Sequence, residues 1–445
     1  MDFLREVVDQ GRRAAVDALS GGRIEKDSPF SPEVPDDLRG WLPDLFDRFP
    51  IVFPWERPKP IDPAVHNVWI LDNTAFKVPQ LGDIRHELAD PNVAQPQRTT
   101  NPQQRSDVAD TDAGAWEVEF VACYFIKNSG RGVAGVTAAL IKQLQLDEDD
   151  VATKKRIASR LEPFLDTVLP RHTVRISIDN QEEQTLGPSS YSGISSALHQ
   201  LHFKPSSAQV TSNTLNLPPP FGLPSRTVLG EEQGWAVISD IDDTIKITQT
   251  PSPIGILQNT FTVETPAPVA GMPELYAHIR QDLDNPTFFY LSASPYSLYP
   301  FLRQFRDAHY PLGTLILRDA SWQNLGGLIM SLQQNTKEYK DDRIAKIHGW
   351  FPQRDIVCIG DSTQSDPEAY GEAARRYPGW IKAIFIRKVT GIAGMDEEKK
   401  NASERFESAF TNLDKTLWHV FVEPSEVAEK IDKLVRTKGI RESGD

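Results

Sequence analysis

The sequence has little cysteine, no long apolar run and no excess of basic residues. Its 445 residues include only Cys123 and Cys358, which excludes a disulfide framework and is typical of a reducing compartment such as the cytosol. No stretch approaches the ~20 apolar residues that cross a bilayer, and the N-terminus lacks the apolar core of a signal peptide. A net charge of −14 argues against a nucleic-acid-binding protein, because such proteins present basic surfaces.

The length and the changes of composition along the chain indicate two domains with additional segments. Residues 1–60 are interpreted as an N-terminal amphipathic helix followed by a linker rich in proline and charge. Residues 61–225 are predicted to form a β-rich accessory domain, because their apolar runs are rich in β-branched and aromatic residues. Two helices, near 134–145 and 149–166, interrupt these strands. The segment 79–115 is nearly free of aromatic residues and is predicted to be a disordered excursion.

Residues 230–395 follow a different pattern, in which short apolar strands alternate with helices. Such alternation is the signature of a parallel sheet with helices on both faces. We therefore predict an α/β fold with a Rossmann-like domain, completed by a C-terminal strand and helix within 396–445. Strands are predicted at 235–239, 288–292, 356–360 and 381–387, and helices from about Met272, Ser297, Lys340 and Pro367.

Polar residues follow three of these predicted strands directly. The stretch "VISDIDDTIKIT" places Asp240, Asp242 and Asp243 after the first strand, and Ser292 and Asp361 follow two others. Because the carboxyl ends of parallel strands line one crevice, we expect these side chains to converge. Carboxylates this close raise one another's pKa. The cluster is therefore either a solvated turn or a site for a metal ion.

Lys340 and Asp366 extend this group. Lys340 opens a predicted helix whose Ile344 and Ile347 would pack on the sheet, and Asp366 lies five residues after Asp361. Oxygen ligands with few histidines suit Mg²⁺, which prefers carboxylates, water and substrate phosphate. The pattern favours a magnesium site over a solvated turn.

The order Asp-x-Asp-x-Thr, Ser, Lys and Gly-Asp-x4-Asp resembles the haloacid dehalogenase superfamily of phosphotransferases. The sequence around these motifs is similar to that of the catalytic domain of the actin-patch-associated phosphatidate phosphatases. These enzymes share the "YLSA" sequence at a strand end with the lipins. The resemblance covers residues 230–395. It rests on stretches such as "SDIDDTIKIT", "YLSASPYSLYPFL", "YKDDRIAKIHGWFP" and "CIGDSTQSDPEAYGEAARRYPGWIKAIFIR". Agreement over several motifs is far more specific than any single pattern.

The resemblance implies a role for each matching residue. Asp240 would be the nucleophile that forms an aspartyl-phosphate, and Asp242 would serve as general acid and then general base. Mg²⁺ would bind Asp240, the backbone carbonyl of Asp242, and Asp361. Three groups would hold the phosphate oxygens: Ser292, the amide of Ala293, and Lys340.

Several assignments stay open at this stage. Thr244 either supports the phosphate site or caps a helix. Asp366 could order the waters of the magnesium ion, cap a helix that begins with Pro367, or orient Lys340. Asp243 is interpreted as a bystander in the acidic turn.

These features predict a Mg²⁺-dependent phosphatidate phosphatase that releases diacylglycerol and inorganic phosphate. The lipid substrate follows from the family resemblance, because the motifs alone would serve almost any phosphate monoester. One alternative is a phosphatase of soluble monoesters from the same superfamily. Another is an adaptor protein with a decayed catalytic domain, against which the intact motif set argues.

The expected partner is a membrane surface that contains phosphatidate, reached peripherally from the cytoplasm. Candidate contacts are the N-terminal helix, the apolar segment 320–335, and a basic group of residues. This basic group comprises Arg375, Arg376, Lys382, Arg387 and Lys388. We expect no nucleic-acid partner. SH3 domains are unlikely partners as well, because "PEVP" (32–35) is a weak acidic match to their ligands.

Overall fold

The computed structural model describes residues 57–77, 116–130, 132–217, 222–318, 332 and 336–442, with backbone alone beyond residue 436. The predicted N-terminal helix, the excursion 79–115 and nearly all of the apolar segment 320–335 lie outside the described residues. They therefore remain predictions.

Within these residues, the first part of the chain forms a ten-stranded mixed sheet. Its strands are β1 (Lys59–Pro60), β2 (His66–Ile70), β3 (Asn73–Lys77), β4 (Trp116–Ile126), β5 (His172–Ile178), β6 (Glu182–Leu186), β7 (Ile194–Leu201), β8 (Gln209–Thr214), β9 (Gly222–Leu223) and β10 (Ser225–Gly230). The strand order is β1-β5-β8-β10-β3-β4-β2-β9, with β6 beside β5 and β7 beside β4. Two helices, α1 (Val133–Gln143) and α2 (Val151–Leu165), follow β4, close to where the sequence predicts them.

The second part forms a six-stranded sheet in which every pair of neighbours is parallel. Its strands are β11 (Trp235–Asp240), β12 (Thr287–Pro295), β13 (Gly313–Arg318), β14 (Asp355–Asp361), β15 (Ile381–Arg387) and β16 (Trp418–Phe421). The order is β13-β12-β11-β14-β15-β16. All nine residues of β12 are buried, as expected for a strand covered on both faces.

Eight further helices accompany this sheet in the described residues. They are α3 (Pro253–Leu257), α4 (Met272–Asp282), α5 (Tyr299–His309), α6 (Thr336–Trp350), α7 (Asp366–Arg376), α8 (Glu397–Lys400), α9 (Ser403–Ala409) and α10 (Pro424–Glu442). Helices α4, α5 and α10 pack on one face, and α6, α7 and α9 pack on the other. None of the helices in the described ranges combines the length and apolar character needed to span a bilayer.

Two details of this sheet differ from the sequence prediction. Strand β13 replaces what was predicted as a loop, although its apolar "TLILR" run is typical of a buried strand. Helix α6 begins at Thr336, one turn before Lys340. The extra turn is held by tertiary contacts, since the Thr336 hydroxyl bonds to that of Ser365 and the Tyr339 hydroxyl donates to the carbonyl of Ile316.

The two sheets share one apolar core. Trp69 and Phe125 of the mixed sheet belong to the same buried cluster as Val237 and Phe288 of the parallel sheet. The turn between β2 and β3 adds polar contacts: the amide of Asp72 donates to the Tyr299 hydroxyl at 2.6 Å. The mixed sheet therefore packs directly against the elements that carry the polar strand ends.

Candidate active site

Three strand ends of the parallel sheet place polar side chains at one edge. Asp240 is the last residue of β11, Asp361 is the last residue of β14, and Ser292 lies in the final part of β12. The parallel registers of β11 with β12 and with β14 align these ends. All three side chains are at most 1% exposed. The structure thus brings together residues from distant parts of the chain.

Lys340 reaches this edge from helix α6, where Ile344 and Ile347 are buried against the sheet. Its Nζ lies 2.7 Å from Oδ1 of Asp240 and also contacts Oδ1 of Asp366. Burial by itself would lower the pKa of Lys340, but the surrounding carboxylates outweigh burial and raise it. The side chain is therefore a permanent cation inside the acidic cluster.

The buried carboxylate of Asp240 has Lys340 as its neighbouring cation but two further carboxylates close by. Burial raises the pKa of Asp240 well above its usual range, and the carboxylates of Asp366 and Asp361 add to this effect. Lys340 opposes the rise without cancelling it. Carboxylates that lack a full complement of cations are a setting in which a bound metal ion stabilises the ionised form.

Asp366 uses both of its oxygens within the cluster. Oδ1 contacts Lys340, and Oδ2 accepts a hydrogen bond from the amide of Asp361 at 2.9 Å. A Cβ on Gly360 would lie 2.6 Å from Asp366, so only glycine permits this approach. Ser365 is the N-cap of helix α7, and Asp366 is the first residue of that helix. Asp366 thus orients Lys340, and the reading of it as the helix cap is wrong.

Thr244 joins the two strand-end carboxylates. Its hydroxyl lies 2.7 Å from Oδ2 of Asp361 and 3.2 Å from Oδ2 of Asp240. The residue lies in a turn and no helix begins there, so the alternative that Thr244 caps a helix is wrong. The hydroxyl has one proton for two acceptors. It therefore cannot by itself neutralise the repulsion between the two carboxylates.

The carboxylates fit a divalent cation. One oxygen each from Asp240, Asp361 and Asp366 lie within 4.8 Å of one another. A set made only of carboxylate oxygens suits a hard cation such as Mg²⁺. Both oxygens of each carboxylate already have partners within the cluster, so these contacts do not rank the three as direct ligands. The Asp242 carboxylate is not part of this group, which is compatible with a predicted role through its backbone carbonyl.

The Asp242 carboxylate is held by two hydroxyl groups. Ser292 donates to Oδ2 at 2.5 Å, and Thr248 donates to Oδ1 at 2.7 Å. The Ser292 oxygen in turn accepts the amide of Ser294 at 3.0 Å. Ala293, whose amide is predicted to bind phosphate, is buried beside them. Asp242 therefore faces the serine of β12 and the turn that carries Thr248.

The sequence suggested that Asp243 is a bystander in the acidic turn, but the structure gives its carboxylate and its carbonyl several partners. Its carboxylate accepts hydrogen bonds from the amides of Thr248, Gln249 and Thr250 and from the Thr250 hydroxyl, at 2.6 to 3.0 Å. The residue adopts a φ of 65°, in the left-handed region that aspartate tolerates in turns. Its carbonyl accepts hydrogen bonds from Arg387. Asp243 shapes the turn that carries Asp242.

The predicted basic group is divided among separate contacts. Arg387 points to the carbonyl of Asp243, whereas Lys382, near the other end of β15, pairs with Asp355 at 3.2 Å. Arg375 donates to the carbonyl of Ala409 at 2.9 Å. These residues do not form a single surface for lipid headgroups.

Sequence reasoning missed three polar residues of this site. Thr363 donates its amide and its hydroxyl to Oδ1 of Asp361, each at 2.6 Å. Thr248 holds Asp242, and the buried Lys246 donates to Thr248 at 2.9 Å. For Lys246 and Thr248 the sequence signal was the run "TIKITQT", in which polar residues alternate with apolar ones. Thr363 lies outside this run, directly after "GDS".

The fold and the site define an α/β protein whose chemistry is concentrated in a buried cluster of carboxylates and one lysine at the edge of a parallel sheet. Residues 235–388, which contain every residue of this cluster, match the family described as "Phosphatidate phosphatase APP1, catalytic domain". This match confirms the family resemblance that the motifs indicated.

Two relatives show the extent of the similarity. The chain is 32% identical to phosphatidate phosphatase APP1 of Saccharomyces cerevisiae over 173 residues, which cover 38% of this chain and 29% of the relative. It is 29% identical to an uncharacterized protein of Schizosaccharomyces pombe over 169 residues, which cover 36% of this chain and 26% of that protein. The matched part thus spans less than a third of each relative.

Proposed function

We propose that this protein is a Mg²⁺-dependent phosphatidate phosphatase with a haloacid-dehalogenase-type catalytic domain. It would hydrolyse phosphatidate to diacylglycerol and phosphate through an aspartyl-phosphate. The observation that carries the proposal is the position of Asp240, which ends β11 between Lys340 and Asp361 within the stretch that matches the catalytic-domain family. The polar groups around it supply each role that phosphoryl transfer requires.

Asp240 is the nucleophile in this proposal. A carboxylate attacks phosphorus in line and forms a covalent intermediate that water then hydrolyses. The attack requires the ionised carboxylate, which burial disfavours and Lys340 favours. The 2.7 Å contact between Nζ and Oδ1 therefore favours ionisation of Asp240 and restricts its orientation.

The phosphate oxygens would be held by Ser292, the amide of Ala293, and Lys340. These groups come from β12 and α6, two elements that are fixed by packing in the core. Donors on fixed elements stabilise the negative charge that accumulates in the transition state. The Ser292 hydroxyl, which donates to Asp242 in this structure, would turn toward the phosphate. Asp366 contributes by holding Lys340 in this position.

Asp242 would act as general acid for the leaving lipid alkoxide and then as general base for water. Magnesium, held by Asp240, Asp361 and the backbone carbonyl of Asp242, would offset the repulsion between the carboxylates and the phosphate. Thr244 and Thr363 hold the Asp361 carboxylate in place for that role.

The substrate is a bilayer lipid, so the protein must reach a membrane surface. We propose peripheral association from the cytoplasm. The N-terminal amphipathic stretch and the segment 320–335 are the candidate contacts that remain, because the basic residues are divided among other contacts. A vesicle flotation assay with and without phosphatidate tests this association directly.

The reaction is tested by measuring phosphate release from phosphatidate in detergent micelles, with and without Mg²⁺. Wild-type protein is expected to release phosphate only with Mg²⁺, and Asp240→Asn is expected to lose the activity entirely. Asp284→Asn, the same chemical change at an exposed turn, is the matched control and should retain it.

Each other result has a distinct meaning. Full activity of Asp240→Asn would contradict the mechanism. Activity confined to water-soluble phosphate esters would contradict the lipid substrate and retain the chemistry. Inactivity on both kinds of substrate would favour the adaptor alternative.

A further inference from the structure

Lys246 is a buried ammonium that the proposed mechanism does not use. The residue is 1% exposed and lies in the turn after β11. Its hydrogen-bond partners within the described ranges are the hydroxyl of Thr248 at 2.9 Å and the carbonyl of Ile247 at 3.4 Å. Burying a charge without a direct counter-ion is unfavourable. Burial lowers the pKa of Lys246, and the nearby carboxylates of Asp242 and Asp243 oppose this effect.

The direction of the hydrogen bonds follows from the chemistry of the groups. An ammonium can only donate, so the Thr248 oxygen must accept from Lys246. The single proton of that hydroxyl is then free to bond with Oδ1 of Asp242, 2.7 Å away. The result is a chain of two hydrogen bonds that runs from a cation to one oxygen of the proposed general acid.

The other oxygen of Asp242 faces the phosphate-binding groups. Ser292, whose oxygen accepts the amide of Ser294, donates to Oδ2 at 2.5 Å. Oδ1 is thus tied to the turn, and Oδ2 lies beside a proposed phosphate ligand. Of the two oxygens, Oδ2 is the one placed to exchange a proton with the reacting groups.

The backbone on both sides of Lys246 is paired with the segment that contains Ala267 and Val269. The amide of Val269 donates to the carbonyl of Ile245 at 2.9 Å, and the amide of Ile247 donates to that of Ala267 at 3.0 Å. The ammonium also lies 5.6 Å from the ring centre of Phe301, a distance at which a cation and an aromatic face attract.

We propose that Lys246 and Thr248 are positioning residues that hold Oδ1 of Asp242, so that Oδ2 delivers and later takes up the proton. The inference rests on the proposed function. In the first step Asp240 bonds to phosphorus, the bond to the lipid oxygen breaks, and that oxygen takes the proton from Oδ2. In the second step water bonds to phosphorus, its proton passes to Oδ2, and the Asp240 carboxylate and phosphate are released.

Leaving groups of different quality reveal whether the acid is correctly placed. The diacylglycerol alkoxide is a poor leaving group that needs a proton, whereas p-nitrophenolate leaves readily without one. General acid catalysis contributes roughly 10²- to 10⁴-fold where it is needed. Thr248→Val and Lys246→Met are therefore expected to lower kcat/KM, which reports the first step alone, by about 30-fold or more on micellar phosphatidate. On p-nitrophenyl phosphate we expect only a small loss of kcat/KM, whereas kcat also includes the second step and can fall on both substrates.

Two further variants separate positioning from general damage. Thr248→Ser retains the hydroxyl and should restore most of the activity on phosphatidate. Thr74→Val removes another buried threonine hydroxyl, which bonds to Thr314 at 2.7 Å far from the proposed site in the chain, and should leave both activities unchanged. Equal losses of kcat/KM on the two substrates, or no recovery with Thr248→Ser, would overturn the inference.

Thermal unfolding tests the hydrogen bond independently of activity. The shifts in Tm of Thr248→Val and Asp242→Ala should be non-additive in the double variant, because each removes one partner of the same hydrogen bond. Additive shifts would overturn the inference even if the wild type is an active phosphatase. A wild type that hydrolyses neither substrate would contradict the proposed function, and non-additive shifts would then still support the coupling of Thr248 to Asp242.

Discussion

The mixed sheet and the parallel sheet each have a deeply buried aspartate, and the two aspartates differ in the number of cations around them. Asp72, in the turn between β2 and β3, meets three arginines: Arg226, Arg303 and Arg306. Asp240, at the end of β11, shares a single lysine with neighbouring carboxylates. Both aspartates are 1% exposed, so the difference lies in the number of cations around them.

The pKa of each group follows from this count. Burial would raise the pKa of Asp72, but the three arginines outweigh burial and lower it. Burial raises the pKa of Asp240, and one lysine is insufficient to reverse the rise. A buried carboxylate with more cations than it needs is part of the framework. One with too few is a candidate ligand for a further cation, and perturbed carboxylates of this kind are candidates for functional sites.

The largest effect is expected from Lys340→Met. Removing the lysine that contacts Asp240 and Asp366 takes away both the proposed phosphate ligand and a counter-ion, so phosphate release should fall by at least about 100-fold. Lys337→Met, on the same helix, is the control, because Lys337 is partly exposed and pairs with Asp341. Comparable losses in the two variants would show that Lys340 has no special role.

A large effect on stability is expected from Asp72→Asn. Arg306 is buried and would lose its main counter-ion, and breaking a buried ion pair costs about 3–5 kcal/mol. The free energy of unfolding, measured with urea, should fall by this amount, while activity per folded molecule should not change. Asp307→Asn is the control: Asp307 contacts Arg226 and Arg306 but is 37% exposed, so its loss should cost below about 1 kcal/mol. A strong loss of activity in Asp72→Asn would contradict the separation of framework from site.

The smallest expected effect is the pH dependence of that stabilisation. Because the pKa of Asp72 is lower in the folded protein than in the unfolded chain, its contribution is fully present above the unfolded value of about 4. It is lost as the pH falls through the folded value. The difference in unfolding free energy between wild type and Asp72→Asn should therefore be constant from neutral pH to about pH 5 and shrink below about pH 4. A difference that already shrinks near pH 6 would contradict the assignment.

Much of the proposed site could be predicted from the sequence, because its residues follow buried strands directly. Asp240, Ser292 and Asp361 each come after an apolar run, and parallel strands bring such ends together. Asp72 gave no comparable signal, since its three arginines lie more than 150 positions away. The role of Asp243 was also hidden, because its carboxylate binds backbone amides rather than side chains with a recognisable pattern.

The sequence alone determined most elements of the parallel sheet and the order of the polar residues at its edge, because local periodicity and residue type decide which segments become buried strands and which polar groups end them. Tertiary structure decided which neighbour each charged group received. In the folded protein Asp366 contacts Lys340, and Thr248 donates to Asp242. Arg387 donates to the carbonyl of Asp243 and does not join the other basic residues. The physical reason is that the interaction of charges and hydrogen-bonding groups depends on distances of a few ångströms and on burial, and neither quantity is encoded in the spacing along the chain.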